Sequence, residues 1–223
     1  MECVVSEKGR KTTIKKRFIA TVPYFQQLLR VDYESRNPIN SETEKKVLST
    51  IADAIPRVDI LVISDYNKGL LTKTVIDEVL AMAKEKGKKV IADTKRSPYD
   101  YRGADILAPN YKELCLAFGM KATNEDEIIV SNAIKLSKTL NATILVKRSG
   151  KGASIADGKN VRTYGVSATD IVNVSGAGDI FVAIVAIALA SGKSIDEAVK
   201  LSNIGCAKAI ARKHPSVQLE DFE

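Results

Sequence analysis

From Val58 onward, short apolar runs alternate with amphipathic segments, and this alternation restricts the fold more than any other feature of the chain. "VDILVIS" is a continuous apolar run, typical of a strand that is covered on both faces, and "KKVIAD" is a second strand. The segment between them, "TKTVIDEVLAMAKEKG", has helical spacing, and further strands are expected at "ADILAPN" and "ATILVKRSG". The pattern predicts an α/β fold with a mostly parallel sheet and helices on both faces.

The first forty residues have a different pattern and are expected to form a separate part of the molecule. "TTIKKRFIATVPYFQQLLRVDYES" is rich in β-favouring residues and predicts two short strands around Pro23. "SETEKKVLSTIADAI" then predicts a helix, with Ser41 as its cap and Glu44 completing a capping box. We therefore divide the chain into strands within 1–40 and an α/β core over 41–223. Within the core, "GASIADGKNVRTYGV" predicts a hairpin, and two helices separated by Gly192 follow it.

Polar residues follow each predicted strand of the core. In open α/β sheets, ligands bind beyond the carboxyl ends of the strands, so these residues are the first candidates for a site. Their types suit phosphate and a hydrated metal ion. They are Asp65, Tyr66 and Lys68; Asp93 and Lys95; Asn110 and Glu113; Lys147 and Arg148; and the loop at Gly176.

The stretch "NVSGAGDIFVAIVAIALASG" joins a glycine turn to an apolar helix, with Asp179 at the junction. Glycines and free N–H groups at a helix start can hold an anion, so residues 176–178 are a candidate anion hole. Asp179 has two interpretations: a carboxylate that stabilises its helix by about 0.3–1 kcal/mol, or a general base that accepts the proton of an attacking hydroxyl. The chain has no GxxxxGK[ST] segment, which excludes a P-loop protein.

Composition removes several other classes. The net charge of +7 comes from scattered runs without interleaved aromatic residues, so no nucleic-acid partner is expected. Cys3, Cys115 and Cys206 are far apart, which argues against disulfides and zinc, and a single His214, expected in an exposed loop, cannot form a histidine metal site. The apolar run 180–190 is too short to span a bilayer, and the N-terminus has no signal-peptide core. We expect a cytoplasmic protein without a membrane partner.

The chain resembles the ribokinase-type, or PfkB, carbohydrate kinases. "NVSGAGDIFVA" is similar to their C-terminal signature, and "APNYKE" is similar to their N-x-x-E element. The order of these elements agrees as well, with "VKRSGKG" and the hairpin lying between them. Three further segments resemble the kinase domain of the bifunctional heptose 7-phosphate kinase/ADP-heptose synthases: "TTIKKRFIA…QQLLRVD", "VISDYNKGLLT" and "VIADTKRSPYDYRGADILAPNYKE". The chain has no HxGH-type motif, so the second activity of that group is not expected here.

The resemblance implies a ribokinase-like fold with part of a small β-lid, an ATP donor, Mg²⁺ and a sugar or sugar-phosphate acceptor. It implies that Asp179 is the base, that Gly176, Ala177 and Gly178 form the anion hole, and that Asn110 and Glu113 organise magnesium and phosphates. Residues expected to border the nucleotide are Lys147, Arg148, Ser149, Gly152 and Asn203. Asp65 is a candidate contact for the substrate. Lys68 and Lys95 are our own candidates for phosphate contacts, and for each of them a solvated surface charge remains the alternative.

Three residues depart from the family pattern. Asn173 stands where most members carry Asp, which removes a charge near the nucleotide. Lys147 stands where Thr is common, and it either adds a phosphate contact or alters the nucleotide loop. Ile184 stands where the signature prefers Gly or Ala, so helix packing is expected to differ there.

The largest departure is that the first strand and the G-G-x-x-N segment of these kinases have no counterpart in the sequence. Judged against the usual domain size, we expect about a hundred residues of the family domain to be absent. Two hypotheses therefore stay open. One is a sugar or sugar-phosphate kinase, led by heptose 7-phosphate as acceptor and followed by ribose, fructose or nucleoside kinases, and the other is a nucleotide-binding protein with impaired catalysis. The lid strands also predict a homodimer, because exposed strand edges tend to pair with a second chain.

Overall fold

The computed structural model describes residues 3–24, 26–166, 171–213 and 215–222, so His214 lies outside the described part. Its strands are β1 Ile14–Ala20, β2 Gln26–Tyr33, β3 Ile60–Asp65, β4 Lys89–Thr94, β5 Ile106–Leu107, β6 Thr143–Lys147, β7 Ala153–Ala156 and β8 Val161–Tyr164. Its α-helices are α1 Ser41–Ala54, α2 Lys73–Glu85, α3 Tyr111–Ala117, α4 Asp126–Leu140, α5 Ala177–Ala190 and α6 Ile195–Ile210.

Six strands form one mixed sheet in the order β3-β4-β5-β6-β7-β8. Strands β3 to β6 run parallel to one another, whereas β7 and β8 are antiparallel neighbours that close one side of the sheet. The carboxyl ends of the four parallel strands therefore lie along one edge. The α/β fold with a mostly parallel sheet is confirmed.

Helices cover both faces of the sheet, and the strand residues alternate between two hydrophobic clusters. Val90 and Ala92 of β4 pack in the cluster that contains the buried residues of α2, α3 and α4. Ile91, between them, packs in the cluster that contains the buried residues of α5 and α6. This period of two is the strand pattern, and both faces are apolar because each is covered by helices.

The expectation that "VDILVIS" is covered on both faces is correct only in part for β3, whose Ile60 packs, partly buried, against the α5–α6 cluster. This strand forms an edge of the six-stranded sheet, pairing within it only with β4. Ile63 is buried against the α2 side, but Val62, on the opposite face, is 38% exposed. An apolar run alone does not distinguish a central strand from an edge strand, since its position depends on which strands pair with it.

Helix α1 begins at the predicted place but with a different cap. The side chain of Asn40 accepts a hydrogen bond from the Thr43 N–H at 2.8 Å, and Ser41 is the first helical residue. The Glu44 carboxylate accepts from the hydroxyl of Thr72, the cap of α2, instead of closing a box on Ser41. The predicted capping box is therefore wrong, and Glu44 joins the starts of two helices.

The N-terminal strands form a separate two-stranded antiparallel sheet. Ile14 pairs with Tyr33, and Phe18 pairs with Leu29, so these four side chains share one face. The division of the chain at residue 40 stays a prediction. Among the helices of the described residues, none combines the length and apolar character needed to cross a bilayer.

Candidate active site

Ion pairs connect the carboxyl ends of the parallel strands. Lys147, at the end of β6, contacts Asp93 of β4 through Nζ and Oδ1 at 2.7 Å. The Lys147 side chain is 12% exposed and that of Asp93 is 5% exposed. Lys95, directly after β4, contacts Glu113 of α3 at 3.0 Å. The structure thus brings together candidates that lie more than fifty residues apart in the sequence.

The ammonium of Lys95 lies among three carboxylates. Partial burial works against its charge, but the hydrogen bond to Glu113 and two further carboxylates outweigh this, so the pKa of Lys95 is raised. The two further carboxylates are those of Asp93 and Asp179. Lys95 is therefore a stable cation at the strand ends, although its side chain remains 45% exposed.

The glycine turn before α5 presents open backbone donors. Gly176 caps the helix in the left-handed region with φ 79°, a conformation that glycine adopts without strain. The N–H of Ala177 lies 3.3 Å from the Val174 carbonyl, within the turn. The N–H groups of Gly178 and Asp179 contact no acceptor among the described residues. The positive end of the helix dipole adds to these donors, which together suit an anion.

A cation lies next to this turn. A Cβ added to Gly178 would lie 3.6 Å from the Lys147 Nζ, so the ammonium lies on the side of the glycine where a side chain would project. Open N–H groups and a lysine therefore face the same space. Lys147, which stands where Thr is common in the family, supplies a positive charge there, and the Asp93 carboxylate holds its ammonium in place.

Two side chains on the α6 side support the turn. The Asn173 amide donates to the Lys213 carbonyl and accepts from the Ser175 N–H, both at 2.9 Å. The thiol of Cys206 on α6 donates to the Ala177 carbonyl at 3.3 Å. Burial raises the pKa of Cys206 to about 12, so the thiol stays protonated and keeps donating. Asn173 thus orders the loop, although it removes the negative charge of the family's Asp.

Asp179 is exposed at the start of α5 and is bound by one phenol. The Tyr66 hydroxyl donates to its Oδ1 at 2.6 Å. The second oxygen lies toward the turn, since a Cβ added to Gly176 would be 3.9 Å from Oδ2. The sequence identified Tyr66 only by its place after β3 and gave it no role. Its partner lies 113 positions away, so no local pattern could reveal the contact.

The N-x-x-E element forms the cap of α3. The Asn110 side chain accepts from the Lys112 and Glu113 N–H groups at 2.9 and 3.0 Å, and Glu113 Oε2 accepts from the Asn110 N–H at 2.7 Å. Its other oxygen, Oε1, contacts Lys95. This reciprocal capping box fixes the Glu113 carboxylate at the strand-end edge.

The donor set suits a hydrated magnesium ion that arrives with a nucleotide. Mg²⁺ commonly keeps several waters and takes one or two carboxylates together with phosphate oxygens. Within the described residues, no group of three His, Cys, Asp or Glu could hold a metal by itself. Glu113 could therefore contact such an ion directly or through its waters, but the residues that the structure describes form no cage around it.

A cleft of about 470 Å³ lies between the end of β8 and helix α6. Tyr164, Lys200 and Lys208 are among its lining residues. Asn203 is 6% exposed and donates from its amide to the Tyr164 carbonyl at 2.8 Å and to the Gly165 carbonyl at 3.1 Å. The predicted nucleotide contact Asn203 thus lines a cleft, and its amide hydrogens hold the wall of that cleft.

Gly152 and Ser149 shape the loop after β6. Gly152 has φ 77°, and a Cβ there would lie 2.0 Å from the Tyr164 carbonyl oxygen, so no side chain fits at this position. Ser149 is exposed, with φ 53°, and its carbonyl accepts from the Gly152 N–H at 2.8 Å. The loop therefore reaches the wall of the same cleft.

Arg148 points into the protein. It is 1% exposed, and its guanidinium donates to the Asn124 Oδ1 at 2.9 Å, to the Ser154 hydroxyl at 3.3 Å and to the Asp126 carboxylate. Its backbone carbonyl accepts from the Asn124 amide at 2.9 Å. Arg148 thus joins the loop after β6 to the start of α4, and its charged group is not presented to a nucleotide.

The side chain of Asp65 is anchored within the protein. It is 4% exposed, contacts Arg96 at 2.9 Å, and accepts from the Tyr101 hydroxyl and from the Asn67 N–H, the latter at 2.6 Å. These contacts occupy both carboxylate oxygens and fix the turn after β3. The carboxylate of Asp65 thus orders the turn that carries Tyr66.

Lys68 lies where the core meets the lid. Its ammonium contacts Glu34, just after β2, and Glu34 also lies 3.7 Å from Lys15. Both lysines line a cleft of about 430 Å³ together with Thr13 and Tyr66. This cleft places two cations and the Asp179-bound phenol at the boundary between lid and core.

Helices α5 and α6 approach each other closely at Ile184. A Cβ added to Gly205 of α6 would lie 2.5 Å from the Ile184 Cδ1 and 3.1 Å from the Phe222 ring. The bulky residue at 184 is accommodated because its neighbour on α6 has no side chain. The expected difference in packing is therefore local.

Solved structures show the class of fold. The chain is similar to phosphofructokinase-2 from Escherichia coli in complex with potassium, with a TM-score of 0.71, 17% sequence identity, and coverage of 86% of this chain and 64% of that chain. It is also similar to Arabidopsis thaliana ribokinase complexed with ribose and ATP, with a TM-score of 0.65, 23% identity, and coverage of 85% and 60%. The fold is ribokinase-like.

Sequence comparison shows the family. Residues 29–220 match the pfkB family carbohydrate kinase, and the chain belongs to this family. It is 39% identical over 223 residues to the bifunctional protein HldE of Paramagnetospirillum magneticum, covering 98% of this chain and 45% of that protein. It is 36% identical to HldE of Sulfurimonas denitrificans, covering 94% and 43%. The chain thus spans less than half the length of these relatives, and the family recognised from the GAGD and N-x-x-E segments is confirmed.

Proposed function

We propose that this chain transfers the terminal phosphoryl group of ATP to a hydroxyl of a sugar phosphate. The observation that carries the proposal is the convergence of the α5 N-terminus, the Lys147 ammonium and the Asp179 carboxylate at the carboxyl edge of the parallel strands. Phosphoryl transfer depends mainly on positioning and on stabilising charge, and these groups can supply both.

The nucleotide is assigned to the cleft lined by Tyr164 and Asn203. Its terminal phosphate then points toward the open N–H groups of Gly178 and Asp179. Lys147 adds a fixed positive charge next to them, and Lys95 adds a second at the strand ends. These donors stabilise the charge that shifts onto the phosphoryl oxygens during transfer.

The acceptor is assigned to the cleft between lid and core. Asp179 takes the proton of the attacking hydroxyl as the new oxygen–phosphorus bond forms and the bond to the β-phosphate oxygen breaks. Asn110 and Glu113 are assigned the role of organising a hydrated Mg²⁺, which, when bound, neutralises phosphate charge. Lys15 and Lys68 are the cations available for a phosphate on the acceptor.

Heptose 7-phosphate is the leading acceptor in this proposal. Its support is the resemblance of "VISDYNKGLLT" and the neighbouring segments to the heptose 7-phosphate kinases, together with the HldE relatives. A second support is the pair of lysines in the acceptor cleft, because their ammonium groups can bind a phosphate on the sugar.

The test is an ATP-dependent phosphotransfer assay on four acceptors: heptose 7-phosphate, the same heptose without its phosphate, fructose 6-phosphate and ribose. We expect kcat/KM for heptose 7-phosphate to exceed that for unphosphorylated heptose by at least about tenfold, because one charge-assisted contact is worth roughly that factor. Transfer to ribose at an equal rate would contradict the acceptor assignment. Failure to transfer to any acceptor, with no ATP binding in calorimetry, would contradict the proposed function.

A second candidate is nucleotide binding without turnover, and one observation favours it. Both lysines of the acceptor cleft already contact carboxylates: Lys68 contacts Glu34, and Lys15 contacts Asp32 at 3.2 Å. An acceptor phosphate would have to displace them. In the same experiments, ATP binding with no transfer to any acceptor supports this candidate over the first.

We further propose that two copies of the chain pair through the lid. On one face of the β1–β2 sheet, Ile14, Phe18, Leu29 and Tyr33 are 58%, 42%, 55% and 60% exposed. An isolated two-stranded sheet with an exposed apolar face is marginal in water, and a second copy would cover that face.

Phe18→Glu is expected to convert the dimer to a monomer, because it places a charge in the centre of this apolar face. Light scattering after size exclusion, at several protein concentrations, measures the change. Arg17→Glu is the matched control: it adds the same residue to the same strand but on the opposite face, and the dimer should persist. A wild-type mass equal to one chain at every concentration would show that the lid does not dimerise.

A further inference from the structure

The contact between Tyr66 and Asp179 concerns a residue that the sequence placed among the strand-end candidates without a role. Tyr66 follows β3 directly, and its phenol donates to the Asp179 Oδ1 at 2.6 Å. The residue is 45% exposed, and its ring lines the cleft between lid and core. A phenol that served packing alone would be buried, whereas this one bridges the acceptor cleft and the α5 N-terminus.

The turn that carries Tyr66 is held firmly. The buried Asp65 carboxylate accepts hydrogen bonds from the Asn67 N–H and the Tyr101 hydroxyl, and it forms an ion pair with the Arg96 guanidinium. Asn67 itself adopts the left-handed region with φ 55°. Because these contacts fix both neighbours of Tyr66, its phenol is held in one position.

We propose that Tyr66 is a positioning residue for Asp179, occupying Oδ1 so that Oδ2 is left to accept the proton of the attacking hydroxyl. This inference rests on the proposed function. Oδ2 is the oxygen on the side of the glycine turn, where the phosphoryl group is assigned. The contact therefore makes the two oxygens of the base unequal and directs the free one at the reacting atoms.

The phenol is suited to this task because it keeps its proton. Burial, and then the hydrogen bond to Asp179, raise the pKa of Tyr66 to about 12. The Tyr66 hydroxyl is therefore protonated at neutral pH and donates to the Asp179 carboxylate. The other groups that act on this pair are the Ser64 hydroxyl, the carboxylate of Asp93, and the ammonium of Lys95. Lys147 lies next to Gly178, one residue before Asp179.

Tyr66→Phe removes only the hydroxyl and is expected to lower kcat about tenfold, the effect of one hydrogen bond to a charged group. The KM values for ATP and for the sugar phosphate should change less than twofold. Tyr99→Phe is the matched control, since the hydroxyl of this 38% exposed tyrosine makes no hydrogen bond within the described part of the chain, and its kinetics should match the wild type.

A second measurement does not depend on activity. The carbon-13 NMR shift of the Asp179 side-chain carboxyl should differ between the wild type and Tyr66→Phe, because the variant lacks the hydrogen bond to Oδ1. Equal carboxyl shifts together with equal kcat values would overturn the role of Tyr66. A variant that melts several degrees lower and loses ATP binding would overturn it in favour of a structural role. If the wild type transfers no phosphate, the proposed function fails, while the NMR comparison still decides whether Tyr66 binds the Asp179 carboxylate.

Discussion

Asp179→Asn is expected to lower kcat by about 10³-fold, within the range that a positioned general base contributes. Asparagine has the size of aspartate and keeps an oxygen for the Tyr66 hydroxyl, so the local structure should persist. Its amide cannot accept the proton of the attacking hydroxyl. ATP affinity, measured by calorimetry, should be unchanged or tighter, because a negative charge next to the assigned phosphate site is removed.

The same variant separates the two interpretations of Asp179. If the carboxylate only stabilises the start of α5, its removal costs about 0.3–1 kcal/mol of unfolding free energy and leaves turnover intact. Asp77→Asn is the matched control, because Asp77 is a helical aspartate whose contact is an exposed pair with Lys73 at 2.7 Å. It should leave both quantities unchanged. An Asp179→Asn enzyme within tenfold of wild-type kcat would show that another group takes the proton.

The order of the elements could be predicted from the sequence because each strand and helix has its own local pattern. The alternation after Val58 predicted β3 to β6, the β7–β8 hairpin and the helices on both faces. The rule that ligands bind at the carboxyl ends of parallel strands then selected Lys95, Glu113 and Lys147, which the structure places along one edge. In both cases a short stretch of chain contains the information.

The sequence was less informative wherever a residue's environment depends on a distant partner. Arg148 follows a strand and is charged, so it resembled a nucleotide contact. Its guanidinium is nevertheless directed into the protein, where it donates to Asn124 and Asp126. Tyr66 meets Asp179 across 113 positions. Val62 lies in an apolar run but on an edge strand. The periodicity of apolar residues indicates which secondary structure a segment can form. It does not indicate which other segment packs beside it.

Local alternatives caused the error at the start of α1. Asn40 and Ser41 are adjacent and both cap helices well, so the pattern does not decide between them. Asn40 is the cap, and its side-chain amide also donates a hydrogen bond to the Glu7 carboxylate at 2.8 Å. Glu44, expected to close the box, contacts Thr72 at the start of α2. Tertiary contacts thus decided a choice that local propensity left balanced.

Arg148→Met is expected to lower the free energy of unfolding by about 3 kcal/mol, because hydrogen-bond acceptors of the interior lose their donor. Methionine fills much of the same volume, so the loss comes from polar groups left without a donor. These are the Asn124 side-chain oxygen and the buried Ser154 hydroxyl, which keeps only its contact with Thr163 at 2.8 Å. Guanidinium denaturation followed by circular dichroism measures the change.

Lys151→Met is the matched control for that variant, because Lys151 contacts the same two residues from the outside. Its ammonium lies 2.9 Å from the Asn124 carbonyl and 3.3 Å from the Asp126 carboxylate, and its side chain is 51% exposed. Exposed pairs contribute little, so the unfolding midpoint should stay at the wild-type value. If both variants lose the same stability, the burial of Arg148 is not what matters. A loss confined to Arg148→Met would show that this arginine acts from the interior, joining the loop after β6 to α4, and not as a surface contact for a nucleotide.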